Sequence, residues 1–253
     1  MTLKPWHWPV LFGTGFAAGF VDSIAGGGGL ITMPVLLSFG FDPRDALGTN
    51  KLQASFGSGS AAWHYSRAGA VKISDCRLGF AITFLAAASG TWLVQQLSRD
   101  FLMRFIPPLL IAVAVYTLLR PKLGETDSQP KLTRTKFDLL FGLTLGFYDG
   151  FFGPGTGTFW AVAYVLVMGF NFTRATGYTK VMNFASNLSS LLIFALGGHM
   201  LVLPGVVMGS GQLLGARIGS QTVVKHGARF IRPIFVGAVL AITGKLLYDV
   251  YLK

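Results

Sequence analysis

Lys51, Lys180, Asp22 and Asp149 all lie within apolar stretches of the chain. A charge in such a setting is costly and points to a working site. For the lysines the rival explanation is snorkelling, because each lies only about 7 Å inside the end of its helical stretch. Their neighbours favour a site. Lys180, Asn183, Asn187 and Ser190 follow i, i+3, i+7, i+10, and Lys51, Ser55 and Ser58 follow i, i+4, i+7. Each set places one polar stripe on an otherwise apolar helix. An ammonium flanked by hydroxyl and amide donors is the chemistry that replaces the water around a small oxyanion. Asp22 and Asp149 each stand four residues before a glycine-rich run. They are candidates for carrying a coupled proton, and pairing with the lysines or capping a helix remain open beside that role.

The glycine-rich runs are Gly26-Gly27-Gly28-Gly29 and Gly153-Pro154-Gly155-Thr156-Gly157. Glycine permits positive φ and close approach of backbone to a ligand. A half-helix starting at such a turn would aim free N–H groups and a positive dipole end at an anion. Glycine also serves plain helix crossing, the role predicted for Gly142, Gly146 and Gly150 and for Gly211, Gly215 and Gly219 at four-residue spacing. The breaks occur in both halves, which favours a ligand seat for the turns. A nucleotide loop is excluded because no Gly-Lys-Ser/Thr follows. No serine, histidine and acid combine for nucleophilic catalysis, so no catalytic residue and no enzyme activity is expected. His7, His64, His199 and His226 lack metal-ligand spacing, and the single cysteine, Cys76, excludes a disulfide within the chain. Neither metal nor cofactor is implied.

The elements that must carry these residues are membrane helices. Hydrophobic residues form 52% of the 253 positions and charged residues 12%, against about 25% charged in soluble domains. Lysine and arginine number 21 against 10 acids, and they sit in short connectors, as the positive-inside bias requires. No basic stripe interleaved with aromatics suggests nucleic acid. Stretches near 46–66, 78–97, 101–119, 175–197, 204–223 and 230–249 reach the ~20 residues of a helical span. Residues 9–41 and 137–170 are apolar but broken at the glycine turns. They read as half-helices meeting inside the membrane, where irregular backbone needs protein or a watery cavity around it. Residues 120–136 form the one polar connector, a cytoplasmic linker between a first repeat, 1–119, and a second, 137–253. The N-terminus shows no cleavage site and is expected to be retained.

The halves are copies. Gly15, Gly19, Phe20, Asp22, Gly26 and Gly28 fall on Gly142, Gly146, Phe147, Asp149, Gly153 and Gly155 at an offset of 127. After a slip of two, an offset of 129 takes Ala46, Gly48 and Lys51 onto Ala175, Gly177 and Lys180, and continues to Phe101 and Phe230. Loop charge reverses between the copies: Arg67, Lys72 and Arg77 mark a connector whose counterpart, 198–203, has no Lys or Arg, whereas Lys225, Arg229 and Arg232 face a counterpart holding only Arg99. The copies are therefore predicted to be inverted. Inversion needs an odd number of crossings per half, which a glycine-broken re-entrant hairpin plus about three transmembrane helices supplies. With the basic linker inside, both termini are expected outside. The expected fold class is all-α, polytopic, with two inverted repeats. Inversion also sets Lys51 toward the outer side and Lys180 toward the inner, so each lysine is predicted to serve its own gate.

GFVDSIAGGGGLITMPVLLSFG with ALGTNKLQASFGS, and GFYDGFFGPGTGTFW with ATGYTKVMNFASN, closely resemble the sulfite exporter TauE/SafE family over essentially the full length. The resemblance implies a bacterial inner-membrane, multi-pass permease for small sulfur-containing anions, without fixing which. It carries site roles onto Gly26, Gly27, Gly28, Gly29, Thr49, Asn50, Lys51, Gly153, Gly155, Thr156, Gly157, Thr179 and Lys180, and the stripes add Ser55, Asn183 and Asn187. Tyr178 stands where the first half has Thr49, so the half-sites are not expected to bind alike. The expected activity is export or uptake of sulfite or an organosulfonate by alternating access, with the lipid bilayer and the anion as partners, protons as a candidate coupling ion and a homo-oligomer left open. A non-transporting assembly protein and a passive anion channel are the alternatives.

Overall fold

The computed structural model describes residues 3–119 and 126–226. The predicted span 230–249, Phe230, Arg229, Arg232 and residues 120–125 of the linker lie outside the described residues. Within them the regular structure is helical: α1 (His7–Ala25), α2 (Gly29–Ser38), α3 (Pro43–Arg67), α4 (Arg77–Gln95), α5 (Arg99–Leu119), α6 (Arg134–Phe151), α7 (Thr156–Leu166), α8 (Phe172–Leu196) and α9 (Val202–His226). A single 3-10 turn, Ile73–Cys76, leads into α4.

The glycine runs break the apolar segments as expected, but unequally. The first divides into 19 and 10 residues and the second into 18 and 11. Gly26 (φ 76°) and Gly27 (φ 98°) end α1, and Gly153 (φ 93°) and Gly155 (φ 85°) separate α6 from α7, positions where a side chain would be strained. The long helices that follow start from matching caps. The Asp42 carboxylate accepts from the Arg44 N–H ahead of α3, and the Asn171 side chain accepts from the Arg174 N–H ahead of α8.

α3 and α8 form the centre, each 25 residues and so about 37 Å long. They run antiparallel: a Cβ on Gly48, near the start of α3, would strike the His199 carbonyl beyond the end of α8, and one on Gly177, near the start of α8, would lie 3.3 Å from Tyr65 at the end of α3. Their polar stripes are buried by neighbouring helices, which explains why long membrane-length helices carry so many polar residues. Around them α1 packs on α9 and α6 on α4. The four-residue glycine series make these crossings: Gly142, Gly146 and Gly150 meet Ile82, Thr83 and Ala87, and Gly211, Gly215 and Gly219 meet Phe12, Phe16 and Phe20. The outer surface is apolar, with Leu85 69% exposed, and the stretch Ile73–Gln95 is long and apolar enough to cross a bilayer.

Candidate functional site

The two glycine turns, remote in sequence, touch. A Cβ on Gly26 would lie 2.6 Å from the carbonyl carbon of Gly157, and one on Gly157 would lie 3.0 Å from the Gly26 Cα. Only residues without side chains allow backbone to approach so closely. Beside this crossing lies a cavity of about 30 Å³, lined by both turns, Asp22, Asp149, Asn50, Lys51, Ala54, Asn183, Asn187 and Gln212. At the ~10–15 Å³ that one water requires, it has room for about two waters.

Two ion pairs stand at the cavity, one with both members in its lining and the other reaching it through Asp22, and each crosses between the halves. Lys51 Nζ is 2.7 Å from Asp149 Oδ1, and Lys180 Nζ is 2.8 Å from Asp22 Oδ2. Since Asp22 corresponds to Asp149 and Lys51 to Lys180, the lysine of each repeat is neutralised by the aspartate of the other. Side-chain exposures are 1% and 5% for the first pair and 0% and 15% for the second. Lys51 Nζ also donates to the Asp149 carbonyl, and the Ser186 hydroxyl donates to Asp149 Oδ2. Asp22 instead accepts from the Gly28 N–H at 3.1 Å, so a carboxylate already occupies one of the turn amides predicted for an anion. Both ammoniums reach the same turn: Lys51 Nζ would lie 2.9 Å from a Cβ on Gly153, and Lys180 Nζ 3.6 Å from a Cβ on Gly157. Long flexible stems bring together charges whose Cα atoms belong to opposite halves.

The remaining predicted residues divide. Asn50 lines the cavity, with its Oδ1 accepting from Thr32 and from Gln53 at 2.8 Å. Asn183 and Asn187 line it from α8, where Asn187 Nδ2 donates to Ser58 Oγ at 3.3 Å. Asn183 Oδ1 is buried with no partner among the described residues, and a donor on a ligand or water would satisfy it. Thr156 lines the cavity while its hydroxyl caps the Gly153 carbonyl at 2.6 Å. Three predicted residues are not brought there. Thr49 Oγ1 accepts from the Leu201 N–H at 3.0 Å, fastening the loop before α9; Ser55 donates to the Lys51 carbonyl of its own helix; and Thr179 Oγ1 is buried outside the lining.

Sequence reasoning missed Gln212 and Ser186. Gln212 sits among the α9 glycines, with its Oε1 buried and unpartnered beside the cavity; a lone amide in a small-residue stripe was the available signal. Ser186 lies one position before the Lys180 stripe member Asn187, on a face that spacing alone does not assign.

The model of the sulfite exporter TauE/SafE family matches residues 11–246. The chain is 48% identical over 240 residues to the probable membrane transporter protein YfcA of Escherichia coli K12, covering 95% of this chain and 89% of that one. It is 45% identical to a probable membrane transporter protein of Haemophilus influenzae, covering 95% and 94%, and 23% identical to YdhB of Bacillus subtilis, a probable membrane transporter protein, covering 91% and 97%. No solved structure matches the chain. The helical architecture, the apolar exterior and these likenesses agree: the chain belongs to the sulfite exporter TauE/SafE family of multi-pass bacterial membrane transporters.

Proposed function

We propose that the protein is a secondary transporter that carries a small oxyanion, sulfite or an organosulfonate, by alternating access, and that the cavity at the crossing of the two glycine turns is its seat. The observation that carries this reading is the crossed pairing of Lys51 with Asp149 and Lys180 with Asp22 around one cavity. A site built from equivalent residues of two copies is the arrangement expected where one half rocks against the other about a central ligand. The antiparallel course of α3 and α8 supports inverted copies. The cavity is too small for a four-atom oxyanion beside its ion pairs and must widen to load. Asn50, Asn183, Asn187 and Gln212 supply amide donors, and the lysines supply charge.

The test is uptake of sulfite, thiosulfate, sulfoacetate and small carboxylates by the full chain reconstituted in liposomes. Saturable flux accelerated by unlabelled anion on the far side is expected of a carrier. Lys51→Ala and Lys180→Ala are each expected to lower it at least about tenfold, the loss of one charge-assisted contact. Unchanged flux in folded variants would remove the seat, and flux without saturation or exchange would make the protein a channel.

A further inference from the structure

We infer that the anion travels with protons in a number fixed by its own charge, one proton entering on Asp149 or Asp22 for each negative charge seated in the cavity. This rests on the anion-transport reading above and deepens it by naming the co-substrate.

The argument is one of charge balance. Lys51, Lys180, Asp22 and Asp149 form two complete buried pairs, and their charges sum to zero. Lys51, Asp149 and Asp22 line the cavity and Lys180 stands behind Asp22; among the described residues the rest of the lining, Asn50, Asn183, Asn187 and Gln212 included, is neutral. Neither ammonium is therefore a vacant anion seat, because an internal carboxylate already fills it. An anion entering unaccompanied would leave excess negative charge among side chains that are 0–15% exposed, where an unpaired ion carries a heavy desolvation penalty. An anion entering with a proton does not. The proton goes onto the displaced carboxylate, the lysine remains an ammonium and turns to the anion, and the new O–H becomes a further donor. When the anion leaves, the ammonium returns to the carboxylate and the proton is released. With two carboxylates the site can match a monoanion with one proton and a dianion with two.

The surroundings of each carboxylate fit this exchange. Asp149 faces Lys51 from α3 and the Ser186 hydroxyl from α8, with Tyr148 beside it on α6 donating its hydroxyl to the Pro154 carbonyl, while the Thr91 hydroxyl of α4 bonds the Gly150 carbonyl and the Ser190 hydroxyl. Asp22 faces Lys180 from α8 and the Gly28 N–H of its own turn. The Tyr65 hydroxyl of α3 lies nearby but donates to the Ser23 carbonyl at 2.8 Å, and α9 brings the neutral Gln212, with Arg217 exposed. Among the described residues lysine is thus the one cation paired with each carboxylate, and releasing it requires neutralising that carboxylate.

The probes are methanesulfonate and thiosulfate, whose charges of minus one and minus two do not change near neutral pH, with sulfite alongside. Purified full-length protein in weakly buffered detergent with a pH-indicator dye is expected to take up about one proton per methanesulfonate and about two per thiosulfate bound. In proteoliposomes a gradient of one pH unit should accumulate methanesulfonate about tenfold and thiosulfate about a hundredfold, and a potassium-valinomycin potential alone should accumulate neither. Asp22→Asn and Asp149→Asn should each remove one proton from the thiosulfate count and make its flux sensitive to potential. Binding without proton uptake by the wild-type chain, or accumulation driven by potential alone, overturns the inference whether or not the variants fold, and leaves the anion seat standing. Failure of all three anions to bind overturns the seat itself.

Discussion

The two ion pairs, 2.7 and 2.8 Å long, occupy equivalent positions of the repeat, yet they are supported differently. Asp149 is held by Lys51 and by the Ser186 hydroxyl, and its carbonyl takes a second bond from the same ammonium. Asp22 is held by Lys180 and by an amide of its own glycine turn, and its side chain is 15% exposed against 5% for Asp149. The residue equivalent to Ser186 at the offset of 129 is Gly57. A Cβ there would lie 2.6 Å from the Gln212 amide nitrogen, so the first half has no space for the hydroxyl. Duplication fixed where the charges sit, and the neighbours on α9 decided what else could reach them. The result is one more closed pair and one more open, although both reach the cavity.

This contrast is most easily broken by removing a carboxylate. Asp149→Ala leaves the Lys51 ammonium buried without a counter-ion and should cost about 3–5 kcal/mol. Asp22→Ala should cost less, because its more open surroundings let water reach the stranded Lys180. Thermal unfolding in detergent is expected to show the larger fall in Tm for Asp149→Ala, and equal falls would erase the distinction. Combining Asp149→Asn with Lys51→Met should recover most of the stability, since the pair leaves together, but not the anion flux.

A smaller effect isolates the hydroxyl. Ser186→Ala removes one hydrogen bond to a charged group and should lower stability by about 1.5–3 kcal/mol, and it should leave the Lys180–Asp22 pair untouched. Gly57→Ser does not transplant the hydroxyl; it forces the Gln212 side chain aside, an overpacking expected to cost about 1–3 kcal/mol. If Gly57→Ser were neutral, the space around Asp22 would be looser than the close approach of Gln212 implies.

Much of this was readable in the sequence because it depends on residue type and period. Charge in an apolar stretch, glycine where φ must be positive and a repeat at constant offset marked Lys51, Lys180, Asp22, Asp149 and both turns. The glycine series that cross helices were equally plain, because a four-residue spacing of residues without side chains has few other uses. What the sequence could not convey was partnership across the halves. Lys51 and Asp149 are 98 positions apart, and only the exchange of packing, α1 on α9 and α6 on α4, brings each lysine to the other copy's aspartate. For the same reason Thr49 looked like a member of the site. It adjoins Asn50 and Lys51 but lies on a different side of α3, where its oxygen receives the Leu201 amide instead. The unequal division of the broken segments was also hidden, because apolar composition gives their total length and not where the turn falls.

The weakest expected effect concerns the contact that belongs to both halves at once. Ser58 and Asn187 are equivalent positions at the offset of 129, and they hydrogen-bond to each other at 3.3 Å, so equivalent points of α3 and α8 meet there. A change there does not distinguish the closed pair from the open one. Ser58→Ala removes a long neutral hydrogen bond and should cost about 0.5–1 kcal/mol. It should weaken anion affinity about two- to threefold and by the same factor whether the anion is offered from one side of the membrane or the other. Right-side-out and inside-out vesicles measure the two affinities separately. A change confined to one side would mean that the contact serves a single gate, and the two-fold relation between the half-sites would not extend to their centre.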